Sequence, residues 1–245
     1  MPRPLIAHID LQALQHNVSR VRAYAPHSKI MAVIKANAYG HGMLRVAKVL
    51  PVDGLAILTL EEALCLRGEG FNCPILMLEG VFSPDEWNIL ASQRISSVIH
   101  NQEQLHWLEK ARMVLPVDIF LKVNTGMNRL GFNPHEIGLV YARLQACKHA
   151  RLVTLMTHFA QADEERGVEE QLHVFEQVTY GLGCLESMAN SAAIIRYPQS
   201  HKDWVRPGVM LYGASPFSGV NACSFDLRPV MTLESVLIAI QNLRK

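Results

Sequence analysis

Excess charge is what this 245-residue chain lacks first: 23 lysines and arginines face 22 aspartates and glutamates, for a net charge of +1. Basic residues scattered at that balance give no stripe for a nucleic-acid backbone or an anionic lipid surface, so neither partner is expected. Long apolar runs are missing too. No stretch approaches the ~20 residues that cross a bilayer, and the start Met1-Pro2-Arg3-Pro4-Leu5-Ile6-Ala7-His8-Ile9-Asp10 has no leader-like apolar core. A cytoplasmic protein is expected. Cysteine is sparse: Cys65, Cys73, Cys147, Cys184 and Cys223 are odd in number, far apart and never C-x-x-C. That spacing excludes a disulfide framework and a zinc ribbon, and no metal site is expected.

What remains is 49% hydrophobic and long enough for one sizeable core. About 250 residues is also the usual size of a (β/α)8 barrel. Apolar runs at 30–34, 54–58, 74–78, 95–99, 117–123, 152–157, 184–189 and 204–206 read as strands. Amphipathic segments between them read as helices at 43–50, 59–68, from Ser83, 101–112, 134–147, 164–180 and from Ser191. Thr59-Leu60-Glu61-Glu62 is a capping box, and Ser83-Pro84-Asp85-Glu86 combines a cap, a first-turn proline and two carboxylates. Eight strand–helix units imply right-handed crossovers and a parallel sheet, with a closed TIM-type barrel as the expected architecture. Residues 6–10 and 227–240 fall outside this rhythm as two extra strands. The expected division is a barrel over 1–226 and the beginning of a second, β domain over 227–245.

One lysine stands out. Ile30-Met31-Ala32-Val33-Ile34 is the continuous apolar run of a strand buried on both faces, and Lys35 follows it at once. It therefore lies where barrel strands give way to the loops that build active sites. An amine held against apolar walls loses solvation of its charged form and becomes competent to attack a carbonyl and form a Schiff base.

The string Lys35-Ala36-Asn37-Ala38-Tyr39-Gly40-His41-Gly42 resembles the pyridoxal-phosphate lysine motif of alanine racemases. Further segments share the resemblance. Leu121-Lys122-Val123-Asn124-Thr125-Gly126-Met127-Asn128-Arg129-Leu130-Gly131 is similar to the family's K-x-D-T-G-M-x-R-L-G, with Asn124 where many members have aspartate. Met156-Thr157-His158-Phe159-Ala160, Ala189-Asn190-Ser191 and Trp204-Val205-Arg206-Pro207-Gly208-Val209 complete the set. Together they resemble the catabolic bacterial branch of the family.

The resemblance implies pyridoxal 5'-phosphate as cofactor, alanine as substrate, and interconversion of its L and D forms. It assigns Lys35 to the cofactor aldehyde and to proton transfer, and Arg129 to the cofactor's phenolic oxygen and the substrate carboxylate. Tyr39, Asn190, Ser191 and the amides of Gly208 and Val209 are assigned to the phosphate, Arg206 to the pyridine nitrogen, and His158 to bracing Arg206. In some members the lysine equivalent to Lys122 is carbamylated and orients the arginine. Read without the family, Ser191 is equally an ordinary helix cap.

The family's second acid/base is a tyrosine from the second domain of the partner subunit in a homodimer. Tyr24, Tyr39, Tyr141, Tyr180, Tyr197 and Tyr212 do not occupy its glycine-rich motif. Truncation after Lys245 and weakened racemisation are therefore expected. A barrel-only cofactor-homeostasis protein is the alternative. A related decarboxylase is disfavoured, because those enzymes place a carboxylate where this chain has Arg206.

Overall fold

A computed structural model describes residues 4–243. Eight parallel strands close into a barrel: β2 (Lys29–Val33), β3 (Gly54–Ile57), β4 (Ile75–Met77), β5 (Ser96–Ile99), β6 (Val117–Lys122), β7 (Ala150–Met156), β8 (Leu185–Ser187) and β9 (Trp204–Val205), with β9 pairing back onto β2. The TIM-type expectation holds. Two strands lie outside the barrel, β1 (Leu5–Ile9) and β10 (Met231–Ser235), which pair antiparallel from Leu5↔Ser235 to Ile9↔Met231. The expected last strand over 227–240 is thus confined to five residues.

Strand parity explains both the apolar runs and the place of the site. In a strand, alternate side chains face opposite sides. Met31, Val33, Ala56, Leu76, Val98, Phe120, Met156 and Trp204 fill the barrel interior, while Ile30, Ala32, Ile34, Leu55, Ile57, Ile119 and Leu121 pack outward against the helices. Both faces are buried, so the runs show no polar alternation. The next inward position after Val33 is Lys35, after Phe120 it is Lys122, after Met156 His158, and after Trp204 Arg206. The interior core therefore ends in a layer of basic side chains, three of them cationic types and one an imidazole.

Helices α1 (Leu11–Tyr24), α3 (Met43–Val49), α4 (Leu60–Gly68), α5 (Glu86–Gln93), α6 (Gln102–Lys110), α7 (Ile137–Ala146), α8 (Glu169–Thr179) and α9 (Ser191–Arg196) form the outer layer, separated from the turn labelled α2 (Lys35–Tyr39). The Thr59–Glu62 capping box is present with both of its hydrogen bonds. Three helix starts differ from expectation: α7 begins at Ile137 instead of 134, after a 3-10 turn over Pro134–Glu136. α5 begins at Glu86 instead of Ser83, because Pro84 and Asp85 form a turn and Glu86 folds its carboxylate back onto the Phe82 amide (3.2 Å). α8 begins at Glu169 instead of 164, since Gly167 adopts φ +71° and breaks the chain direction there. Among the described residues no helix is long and apolar enough to cross a membrane.

Candidate active site

At the C-terminal end of the barrel strands lies a cavity of about 740 Å³, lined by Lys35, Tyr39, Lys122, Arg129, His158, Asn190, Ser191, Arg206, Gly208 and Val209 among others. Every residue singled out in the sequence for chemistry borders it. They arrive from five different strand ends, which is why their separation in sequence spans 35 to 209.

Lys35 opens α2, a turn wound with the opposite hand. Ala36, Asn37, Ala38 and Tyr39 have φ between 52° and 55°. Four consecutive non-glycine residues in the left-handed region cost about 1–2 kcal/mol each, so other contacts must hold them. Asn37 Oδ1 accepts from the Met43 amide (2.8 Å) and Asn37 O from the Gly42 amide (2.9 Å). Tyr212 packs its ring on Tyr39 (4.8 Å between centroids) and stacks on His41 (4.5 Å), while its hydroxyl donates to Val33 O (3.0 Å). Burial raises the pKa of both tyrosines, so both hydroxyls stay protonated. The effect of the turn is to send Lys35 and Tyr39 into the same cavity within one short segment.

Opposite Tyr39, the start of α9 and the loop after β9 form a cradle. Ser191 Oγ accepts from the Gly208 amide (2.9 Å) and more distantly from the Met210 amide (3.4 Å), leaving its hydroxyl hydrogen to donate into the cavity. Asn190 is occupied as the cap of α9, its Oδ1 taking the Ala193 amide (3.0 Å). A Cβ on Gly208 would lie 2.8 Å from Tyr39 Oη. Gly208 is therefore a close-approach glycine, and its backbone (φ −119°, ψ −95°) lies outside the α and β regions that a residue with a Cβ favours. Gly208→Ala is expected to weaken binding of a phosphate ligand by about tenfold and to lower the melting temperature, measured by equilibrium dialysis and thermal unfolding.

Arg206 is fully desolvated. Nη1 donates to Ser187 Oγ (2.6 Å), and Nη2 to the carbonyls of Thr157 (2.6 Å) and Met188 (3.1 Å). Burial draws it down to about 9, still charged at neutral pH. Its braces are thus Ser187, Thr157 and Met188. The His158 imidazole, expected to brace it, accepts none of these bonds; burial and the Arg206 charge instead push His158 down to about 3 and keep it neutral. Ser187 had a signal that sequence reading passed over, a hydroxyl at an inward position of a buried strand.

Arg129 sits on the loop between β6 and α7. Asn124 Oδ1 accepts from the Gly126 (3.2 Å) and Asn128 (3.0 Å) amides, and Asn124 Nδ2 donates to Asn128 Oδ1 (3.0 Å). Asn124 thus forms the loop's inner turn. The loop closes by Phe132 N to Lys122 O and Asn124 N to Phe132 O, both 2.9 Å. Arg129 is exposed at the cavity mouth, with no ion pair among the described residues. Lys122 is buried beneath it. Desolvation first, then the Arg206 and Arg129 charges, lower Lys122 from 10.5 to about 8, against the opposing pull of Glu79.

A closed barrel whose inward strand ends deliver an amine, a buried guanidinium and a neutral-donor cradle to one cavity defines a class of lysine-centred α/β-barrel enzyme. Comparison with known proteins makes this specific. The family profile described as "Alanine racemase, N-terminal domain" matches residues 9–216. The catabolic alanine racemase of Klebsiella aerogenes is 48% identical over 247 residues, covering 100% of this chain and 69% of that protein; an alanine racemase of Paraburkholderia phytofirmans is 49% identical over 246 residues, covering 99% and 69%. The crystal structure of the biosynthetic alanine racemase from Pseudomonas aeruginosa superposes with a TM-score of 0.91 at 39% identity, over 94% of this chain and 66% of that one. The chain belongs to the alanine racemase family, and it spans about two thirds of the length of these relatives.

Proposed function

We propose that this chain holds pyridoxal 5'-phosphate on Lys35 and interconverts L- and D-alanine. The observation that carries the reading is the grouping in one cavity of Lys35, the Tyr39–Ser191–Gly208 cradle and the fixed Arg206. These donors fit the cofactor: an amine for its aldehyde, neutral hydroxyl and amide donors for its phosphate, and a guanidinium for its ring nitrogen. When bound, the cofactor supplies an electron sink that acidifies the α-hydrogen of an amino acid.

The chain's own residues do the rest. Lys35 Nζ would serve as the base on one face, removing the α-proton of one enantiomer or delivering it when that enantiomer is formed. Arg129 at the cavity mouth takes the substrate carboxylate through its guanidinium fork. Arg206 keeps its own proton and donates toward the ring nitrogen, which holds that nitrogen unprotonated and favours return of the proton to substrate carbon. Lys122, low enough to be partly neutral near pH 8, is the amine suited to carbamylation beneath Arg129. Tyr39 is the only tyrosine among the described residues that lines the cavity, and it stands on the phosphate side. The opposite-face acid is then a tyrosine of the family's second domain.

The reading extends to a cytoplasmic homodimer and to a division of the chain near residues 226–227, with β1 joining β10 on the far side. The ribbon those two strands form and the residues after it expose Leu5, Leu233, Leu237, Ile238 and Ile240. Exposed apolar side chains in this number call for a covering partner.

The test uses residues 1–245 loaded with pyridoxal phosphate and given L-alanine in deuterium oxide. Deuterium is expected at the α-carbon of recovered alanine. D-Alanine is expected to accumulate in the same incubation. A loaded protein that catalyses neither exchange nor racemisation overturns the proposal.

A further inference from the structure

Gln171 lies on α8, outside the barrel and outside the cavity lining, yet every polar atom of its side chain is engaged with strand-end loops of the site. Gln171 Nε2 donates to Thr125 Oγ1 (2.9 Å) and to His158 O (3.3 Å), while Oε1 accepts from the Ala160 amide (2.8 Å). The Ala160 bond fixes which end of the amide is oxygen. The remaining directions then follow without choice. Thr157 Oγ1 donates to Val123 O (2.9 Å), so in the 2.8 Å contact between Thr125 and Thr157 the hydroxyl of Thr125 is the donor. A one-way chain runs from the Gln171 amide through Thr125 and Thr157 to Val123 O. Both threonines are buried.

Thr157 is the joint of this chain. Its hydroxyl ends the chain from α8, and its carbonyl receives Nη2 of Arg206. Thr125 belongs to the loop that carries Arg129. We propose that Gln171 is a positioning residue that sets, through Thr125 and Thr157, the place of the Arg206 guanidinium and the footing of the Arg129 loop. Aligned hydrogen bonds in a buried chain polarise one another, so loss of the first donor weakens the others. The proposal rests on the reading that Arg206 faces the cofactor's ring nitrogen.

The experiment compares wild type with Gln171→Met, which keeps the side-chain volume, Thr125→Val, which cuts the chain in the middle, and Thr125→Ser, which preserves it. In cofactor-free protein, amide hydrogen exchange should rise in residues 124–131 and 156–160 together for Gln171→Met and Thr125→Val, and stay at the wild-type level for Thr125→Ser. With pyridoxal phosphate added, the same two variants should show a dissociation constant raised about tenfold and a visible band displaced in wavelength and in pH midpoint. A purely structural role lowers the melting temperature but leaves the band of the folded, loaded fraction in place. An undisplaced band with wild-type affinity in Gln171→Met overturns the proposal, and Thr125→Val decides in the same way should Gln171→Met fail to fold. If wild type itself takes up no cofactor, the reading of the site fails instead. Unchanged exchange in both segments then overturns the positioning role independently.

Discussion

Lys35→Ala is expected to lower α-hydrogen exchange and racemisation of alanine by about 10³- to 10⁴-fold, because it removes both the attachment point of the cofactor and the base on one face. Stability should move the other way. The charge of Lys35 opposes that of Lys122 and helps keep His158 neutral, so the cofactor-free variant should melt no lower than wild type. Adding a small primary amine should recover part of the exchange, since the base is missing while Arg129 and Arg206 remain. A variant that melts lower and cannot be rescued would mean that Lys35 supports the fold, not the chemistry.

Lys122→Met is expected to stabilise the cofactor-free protein by up to about 3 kcal/mol at pH 7 while abolishing activity. The wild-type lysine is held near 8 in the folded protein against 10.5 in an exposed chain. A unit of such a difference is worth about 1.4 kcal/mol. Between those values the unfolded chain binds the proton that the folded protein has released, so wild-type stability rises with pH across that window and the full penalty is present below it. Urea unfolding at pH 7 and pH 10 should therefore give a large gap between variant and wild type that narrows at the higher pH. A gap that widens with pH would contradict the placement of Lys122 among like charges. The same substitution illustrates why a functional barrel keeps a costly lysine: the basic layer above the core is a site, and its repulsion is set against fold stability.

The strands, the barrel and the basic layer were legible because they depend on local pattern. A continuous apolar run followed by one lysine already has the parity that places Met31, Val33 and Lys35 on the same inward face. The reversed turn at Ala36–Tyr39 was not legible. Alanine, asparagine and tyrosine carry no signal for it, and its support comes from Met43, His41 and Tyr212, the last of these 173 residues away from Tyr39. The start of α5 was misread because Ser83-Pro84 satisfies the rules for a helix cap and for a turn equally, and only the Glu86 bond to Phe82 decides. His158 lines the cavity, but the bonds that hold Arg206 run to Ser187 and to two backbone carbonyls, which no sequence motif records. Gln171 is the extreme case. A glutamine on an amphipathic helix reads as solvated surface, and its three bonds exist only once β6, β7 and α8 have met.

Among the described residues two lysines line the cavity, Lys35 and Lys122, and the cofactor is proposed to sit on the first alone. Borohydride reduction of the loaded protein followed by peptide mass mapping reads that assignment directly. A single phosphopyridoxyl group on Lys35, absent from Lys35→Ala and still present in Lys122→Met, is the predicted result. Label on Lys122, or on no residue of a folded protein, would contradict it.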